Sequence, residues 1–279
     1  MSYVIALDIG GTNLRSAIVD SDYNIIKVLI RDTVNGKLQL FYDDVVAIIR
    51  DLDFDQYQPV AISIGVPGRV RANGFIDALP NINIANIDLA NVVSAAFGLP
   101  VFIRNDAEMA SVAEAIVGAG SDFFSTYFIT ISTGIGGSLF ENGIIKNASS
   151  EIGHTLVPYQ GEYYELEKIA SGNGLLKLLK LNHLPLESAK DFFAKIEAKD
   201  PQYLPIYHDW INLIADLIKF VQRAFSPSII VLTGGVMKSA DIFFDDLVAL
   251  CSPAKLVKTH FSQNSGLIGA AAYGFIRTR

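Results

Sequence analysis

One cysteine, four histidines and no run of lysine or arginine mark what this 279-residue sequence does without. The lone Cys251 excludes an intrachain disulfide and any zinc cluster built on cysteines, which fits a reducing compartment. With 29 acidic against 22 basic residues, the net charge is −7. That balance lacks the phosphate-neutralising charge on which nucleic-acid binding rests, so small molecules are the expected partners and nucleic acid is not. No apolar stretch approaches the ~20 residues of a membrane span, and Met1-Ser2 leads into an apolar run without a basic, apolar-cored leader. A cytoplasmic protein with no membrane partner is expected. Low-complexity segments and Pro/Ser linkers are also missing. Apolar residues are abundant instead: 51% of the chain is hydrophobic and 18% charged, enough for one large core or two modest ones.

The first positive feature is Leu7-Asp8-Ile9-Gly10-Gly11-Thr12-Asn13, a glycine turn between the apolar runs 3–7 and 14–19. Two adjacent glycines let backbone N–H groups crowd one small volume, and Thr12 and Asn13 add side-chain donors. Such a turn either closes a tight hairpin or seats a phosphate. The chain repeats it: Tyr127 to Ile131 runs into Ser132-Thr133-Gly134-Ile135-Gly136-Gly137 and a further apolar run. A third pair, Thr233-Gly234-Gly235, follows Ser228 to Leu232. Three strand-to-glycine turns suggest one nucleotide gripped from several sides.

Between these turns the pattern predicts an antiparallel meander over about 3–8, 14–20 and 24–31, because each run is short, β-branched and closed by Gly, Asp or Asn. Phe41, Val45, Ile48, Ile49 and Leu52 recur at helical spacing. A strand over 60–65 ends in Gly65-Val66-Pro67-Gly68, which continues neither helix nor strand. Asn81 lies in the Asn-rich loop Leu79 to Asn83, where it makes either an Asx-turn or a ligand contact. A short helix over 88–97 follows. Val101 to Ile103 then leads through Arg104-Asn105-Asp106 into a small-residue helix. Asp106 is placed as its N-cap, where partial positive charge would hold it ionised and able to take a proton from a hydroxyl. Ser150-Glu151-Ile152-Gly153-His154 follows the second turn, and a helix is expected to open with Glu165-Leu166-Glu167. Further helices are read at 172–182, 187–197, 204–224 and 240–251, and a last one from Gly266 to Phe275 after the loop 260–264. Two α/β halves joined without a long linker imply a cleft between them, where ligands usually bind.

These stretches resemble, in order and spacing over essentially the whole chain, the ROK family of bacterial sugar kinases, within the actin/hexokinase/Hsp70-like superfamily. The resemblance implies an α/β fold of two domains, actin/hexokinase-like (ribonuclease H-like), with a smaller one at 1–117 plus 265–279 and a larger one at 118–264. Asp8 to Thr12 resembles the family's first phosphate motif, Ser132 to Gly137 its second, and Thr233-Gly234-Gly235 its adenosine motif. Asn105-Asp106 matches its catalytic segment. Gly65, Asn81, Glu151, His154 and Glu167 match sugar-binding elements.

The resemblance implies an ATP- and Mg²⁺-dependent transfer to the 6-hydroxyl of a hexose, either glucose or an N-acetylhexosamine such as N-acetylmannosamine. Asp106 would act as base beside Asn105. Gly10, Gly11, Thr12 and Asn13 with Thr133, Gly134 and Gly136 would hold phosphates, Gly234 and Gly235 the adenosine, and Asp8 would reach Mg²⁺ through water. Many members carry cysteines between their EIGH and ASG segments and bind a structural zinc there together with the histidine. Thr155 to Tyr164 has none, so no zinc is expected, and His154 is reassigned to the sugar. The resemblance also implies a homodimer, to which the helix at 204–224 and the stretches Asp122-Phe123-Phe124 and Asp241 to Phe244 would lend apolar surface. A sugar-responsive regulator of the same family would carry a DNA-binding helix-turn-helix ahead of the first turn. Only seven residues precede Asp8, so the kinase is the expectation.

Overall fold

In the computed structural model, which describes residues 1–146, 151–261 and 264–279, the chain divides into two units. One comprises Met1–Gly118 with Phe261–Arg279, the other Ala119–His260. Ser150 and the Ser262-Gln263 part of the expected loop lie outside the described residues.

In the first unit β1 (Tyr3–Ile9), β2 (Asn13–Asp20) and β3 (Ile25–Asp32) form the expected antiparallel meander. After α1 (Leu38–Arg50) comes β4 (Ala61–Val66). A small hairpin, β5 (Ile76–Leu79) with β6 (Ile84–Ile87), precedes α2 (Leu89–Phe97), β7 (Val101–Asn105) and α3 (Asp106–Ile116). The sheet order is β3-β2-β1-β4-β7, with β4 parallel to both β1 and β7. β4 is buried at every residue, as a parallel strand covered on both faces must be. The apolar positions of α1, Phe41, Val45, Ile48 and Ile49, are buried in the core that also contains Ile5, Leu7 and Ile64.

The second unit repeats the plan with β8 (Ser125–Ile131), β9 (Ile135–Glu141) and β10 (Ile144–Lys146). A hairpin of β11 (Leu156–Tyr159) and β12 (Glu162–Glu165) leads into α4 (Glu167–Ala170), α5 (Gly172–Leu181), α6 (Ala189–Glu197) and α7 (Leu204–Phe225). Strand β13 (Ile229–Thr233), α8 (Ala240–Cys251) and β14 (Leu256–Lys258) complete it. The order β10-β9-β8-β13-β14 reproduces the first sheet, again with an antiparallel meander on one side and parallel strands on the other. The chain ends in α9 (Ser265–Arg277), which packs on α3 and β1 of the first unit.

Three expectations need correction. The segment Glu162–Glu165 is a strand, and the helix opens at Glu167, because Pro158 and the tyrosines favour an extended hairpin over a helical turn. The N-cap of α3 is Asn105 rather than Asp106, which is the first helical residue. Finally, α7 does not reserve its apolar face for a partner. Trp210, Ile211, Ile214, Leu217 and Ile218 are buried in the unit's own core, where Trp210 meets Phe243 edge-on at 5.0 Å. Phe243 is fully buried, whereas Phe124 and Phe220 stay exposed. None of the helices among the described residues is long and apolar enough to cross a membrane.

Candidate active site

In the first unit the strand ends supply the chemistry. Gly10 N–H donates to Asn13 O at 2.8 Å, which closes the turn between β1 and β2. Thr33, just after β3, braces it: the Thr33 hydroxyl donates to Gly10 O and the Thr33 N–H to Thr12 O, each at 2.8 Å. The N–H groups of Gly11 and Thr12 have no partner among the described residues. Neither Gly10 nor Gly11 has positive φ, so they are not there for a left-handed turn. Close approach explains Gly11, because a Cβ on it would stand 2.9 Å from that of Asn81. Asn81 itself sits exposed on the short 3₁₀ turn Pro80–Ile82.

Asp8 lies at the end of β1, paired across the ladder with Arg15, whose Nη1 is 3.8 Å from Asp8 Oδ2. Arg15 Nη2 donates to Asn264 Oδ1, and any Cβ on Gly266 would stand 2.6 Å from Asp8 Cγ. Burial pushes the Asp8 carboxyl above its ordinary value, and the Arg15 charge partly offsets this.

Asp106 begins α3. The Ala107 N–H donates to Asn105 Oδ1 at 2.9 Å and to Asp106 Oδ1 at 2.8 Å, while Asn105 Nδ2 donates to Gly68 O at 3.2 Å. Asn105 thus ties the helix start to the Gly-Val-Pro-Gly turn. Burial raises the Asp106 carboxyl to about 6, against the Ala107 hydrogen bond that lowers it; the Asp8 charge pushes in the same direction as burial. Desolvation therefore outweighs the helix start that was expected to hold Asp106 ionised. The result is a carboxyl poised near neutrality. Gly65 is placed otherwise: it is buried in β4, and its missing Cβ makes room for Met109 of α3, a packing role.

The second unit carries the other half of the expected set. Its glycine turn is held by the start of α5, where Gly172 N–H donates to Ser132 O at 2.7 Å. The Ser171 hydroxyl lies 2.8 Å from Thr133 O and caps α5 by accepting from Gly174 N–H at 3.0 Å. Thr133 and Gly134 keep N–H groups without a partner among the described residues, as Gly11 and Thr12 do. Gly136 falls within β9, opposite Thr130. Gly234 has φ +104°, and a side chain there would collide with the Ile131 carbonyl, so only glycine fits. A cavity of about 630 Å³ lies beside this turn, lined among others by Thr133, Asn173, Phe193, Gly235, Val236 and Lys238. Gly235 faces the cavity, whereas Gly234 and Gly134 are not among its lining residues.

The expected sugar set gathers at the foot of the hairpin. His154 Nε2 is 3.3 Å from Glu151 Oε2 and its Nδ1 is 3.2 Å from Glu165 Oε2. Ligand atoms of His154, Glu165 and Glu167 lie within 4.8 Å of one another. Glu165 was missed in the sequence because it reads as part of a helix; its position two residues before Glu167 was the available hint. Together they offer a ring nitrogen and two carboxylates to a cation. However, Lys168 Nζ already sits 2.7 Å from Glu167 Oε1 and 4.0 Å from Glu165 Oε2, so an ammonium offsets part of their charge. With no cysteine from Thr155 to Tyr164, the cluster lacks the thiolates of the zinc site that the resemblance describes for other members. A hydrogen-bonded clasp fixes the hairpin instead. Tyr159 OH donates to Asp209 Oδ2 at 2.9 Å and accepts from Asn182 Nδ2 at 2.7 Å, while Lys177 stacks over Tyr164 at 4.6 Å.

The model of the ROK family matches residues 4–274. Glucokinase of Thermotoga maritima is 26% identical over 96% of this chain and 96% of its own length. N-acetylmannosamine kinase of Escherichia coli O6:K15:H31 is 27% identical over 96% of each. Among solved structures, the ROK hexokinase of Thermus thermophilus superposes with a TM-score of 0.84 at 23% identity, covering 99% of this chain and 98% of that one, and so shows the same fold. A family match spanning nearly every described element, with the paired glycine turns, Asn105-Asp106 and the Glu151–His154 segment in place, identifies this chain as a member of the ROK family.

Proposed function

We propose that this protein transfers the γ-phosphate of ATP to the 6-hydroxyl of an aldohexose or N-acetylhexosamine, with Asp106 as general base. The chain is a sugar kinase of the ROK family. The observation that carries the finer reading is Asp106 itself, a largely buried carboxyl raised to about 6 at the start of α3, with Asn105 fixed beside it. A general base works best with its pKa near the working pH, where it is mostly ionised yet still a strong acceptor. Asn105 would orient the hydroxyls flanking the reacting one. The unpartnered amides of Gly11, Thr12, Thr133 and Gly134 are suited to phosphate oxygens, and the cavity beside Gly235 to a nucleoside. Asp8, a partly buried carboxylate paired with Arg15, suits a hydrated Mg²⁺, which when bound would neutralise charge on the phosphates. Glu151, His154 and Glu167 supply acceptors and a tautomeric donor for sugar hydroxyls. A homodimer acting in the cytoplasm belongs to the same proposal.

The test is ADP release over a panel of glucose, mannose, N-acetylglucosamine and N-acetylmannosamine, repeated with Asp106→Asn. At least one sugar should support turnover, and the variant should lose about 10²–10⁴ of it while still binding ATP. Because the folded protein holds the Asp106 proton more tightly than the unfolded chain, stability drains away as pH climbs from the ordinary carboxylate range through about 6. Asp106→Asn should therefore also raise the melting temperature at pH 7. No sugar-dependent ADP release across the panel, or retention of more than about a tenth of the turnover, overturns the assignment.

A further inference from the structure

Glu167 touches two things at once. Its Oε2 accepts the Ile135 N–H of the second glycine turn at 3.4 Å and lies 2.6 Å from where a Cβ on Gly134 would stand, so the carboxylate rests directly on that turn. Its Oε1 takes Lys168 Nζ at 2.7 Å, and His154 and Glu165 stand within 4.8 Å on the hairpin side. The Lys168 hydrogen bond, countered by burial, holds the Glu167 carboxyl below its ordinary value, so it is an anion at neutral pH. The short helix α4 that bears it is anchored, since Trp210 Nε1 donates to Ala170 O at 2.9 Å inside the core.

An anion held beside the unpartnered Thr133 and Gly134 amides, on the neighbouring Ile135 N–H, repels any phosphate that would seat there. A carboxylate is also an acceptor that sugar hydroxyls can draw to themselves. Resting on the kinase reading above, we propose that Glu167 couples the two substrates: with no sugar bound its carboxylate obstructs the second glycine turn, and a bound hexose holds it on the hairpin side and frees the turn for the γ-phosphate. Such coupling is reciprocal, so nucleotide must strengthen sugar binding by the factor by which sugar strengthens nucleotide binding. It favours sugar before ATP and limits transfer of the phosphate to water.

Calorimetric titration tests this with the magnesium complexes of AMPPNP and ADP, in the presence and absence of glucose or N-acetylmannosamine. For the wild type, saturating sugar should tighten AMPPNP by about tenfold, within the usual range of such couplings, and ADP, which lacks the γ-phosphate, by less than about twofold. Glu167→Gln keeps the shape and removes the charge. Without sugar it should bind AMPPNP about as tightly as the sugar-bound wild type, with ADP affinity unchanged, a selectivity that a merely structural role would not produce. Sugar and AMPPNP that both bind but without coupling, or a Glu167→Gln variant that gains nothing for AMPPNP, overturn the proposal and leave the kinase reading standing. Failure of every sugar and nucleotide to bind the wild type overturns both.

Discussion

The two central sheets share one strand order and place a glycine turn at the same point, between the first and second strands, yet the turns are armed differently. In the first unit the penultimate residue of the strand before the turn is Asp8, paired across the ladder with Arg15; in the second, Thr130 occupies the corresponding place opposite Gly136. The carboxylates differ in kind as well. Asp8 and Asp106 are raised by burial, whereas Glu167 is lowered by a lysine. Burial makes a carboxylate basic, and pairing makes it a steady acceptor. On the proposed function, one scaffold used twice would give a unit that moves a proton and holds a cation, and a unit whose cavity takes the nucleotide.

Exchanging the distinguishing residues is the strongest way to break this comparison. Asp8→Asn keeps the hydrogen bonds of a polar side chain but loses the charge, and should lower turnover by about 10²-fold while shifting the Mg²⁺ titration to higher concentration. Thr130→Val at the matching place should change turnover by less than about threefold, because nothing there carries charge. Equal losses from both substitutions would show that the turns work alike and that Asp8 has no special part.

Much of this was legible in the sequence, because glycine turns, β-branched runs and the periodicity of α1 are local features with local causes. The meander, the parallel strands and the helix after Asn105 follow from them directly. What was not legible depended on distant neighbours. Asn105 rather than Asp106 caps α3 because Asn105 also reaches Gly68, a partner 37 positions away that no local pattern announces. The rise in Asp106 comes from burial and from Asp8, both products of the folded unit. Glu165 joined the site because a hairpin replaced the expected helix. The clasp that holds this hairpin links Tyr159 to Asn182 and Asp209, 23 and 50 positions on.

That clasp sharpens the comparison at smaller amplitude, since it bears on the hairpin of the second unit and not on Asp106 of the first. Tyr159→Phe removes both hydrogen bonds and should cost about 1 kcal/mol of stability. It should raise KM for the sugar severalfold through looser placement of His154 and Glu165, with KM for ATP and the pH dependence of turnover unchanged. Titration of KM for both substrates and a melting curve suffice to check it. An equal rise in both KM values would mean that the hairpin serves the second unit as a whole rather than the sugar set.

The central claim is that burial has made Asp106 the base, and the pH dependence of kcat/KM for the sugar at saturating MgATP tests it most directly. A base must be ionised to act, so kcat/KM should fall tenfold per unit below a break near pH 6 and level off above it, the break being set by the raised Asp106 carboxyl. The small residual activity of Asp106→Asn should show no such break. A wild-type profile flat down to about pH 4, the range of an unperturbed aspartate, or a break near 6 that persists in Asp106→Asn, would contradict the account.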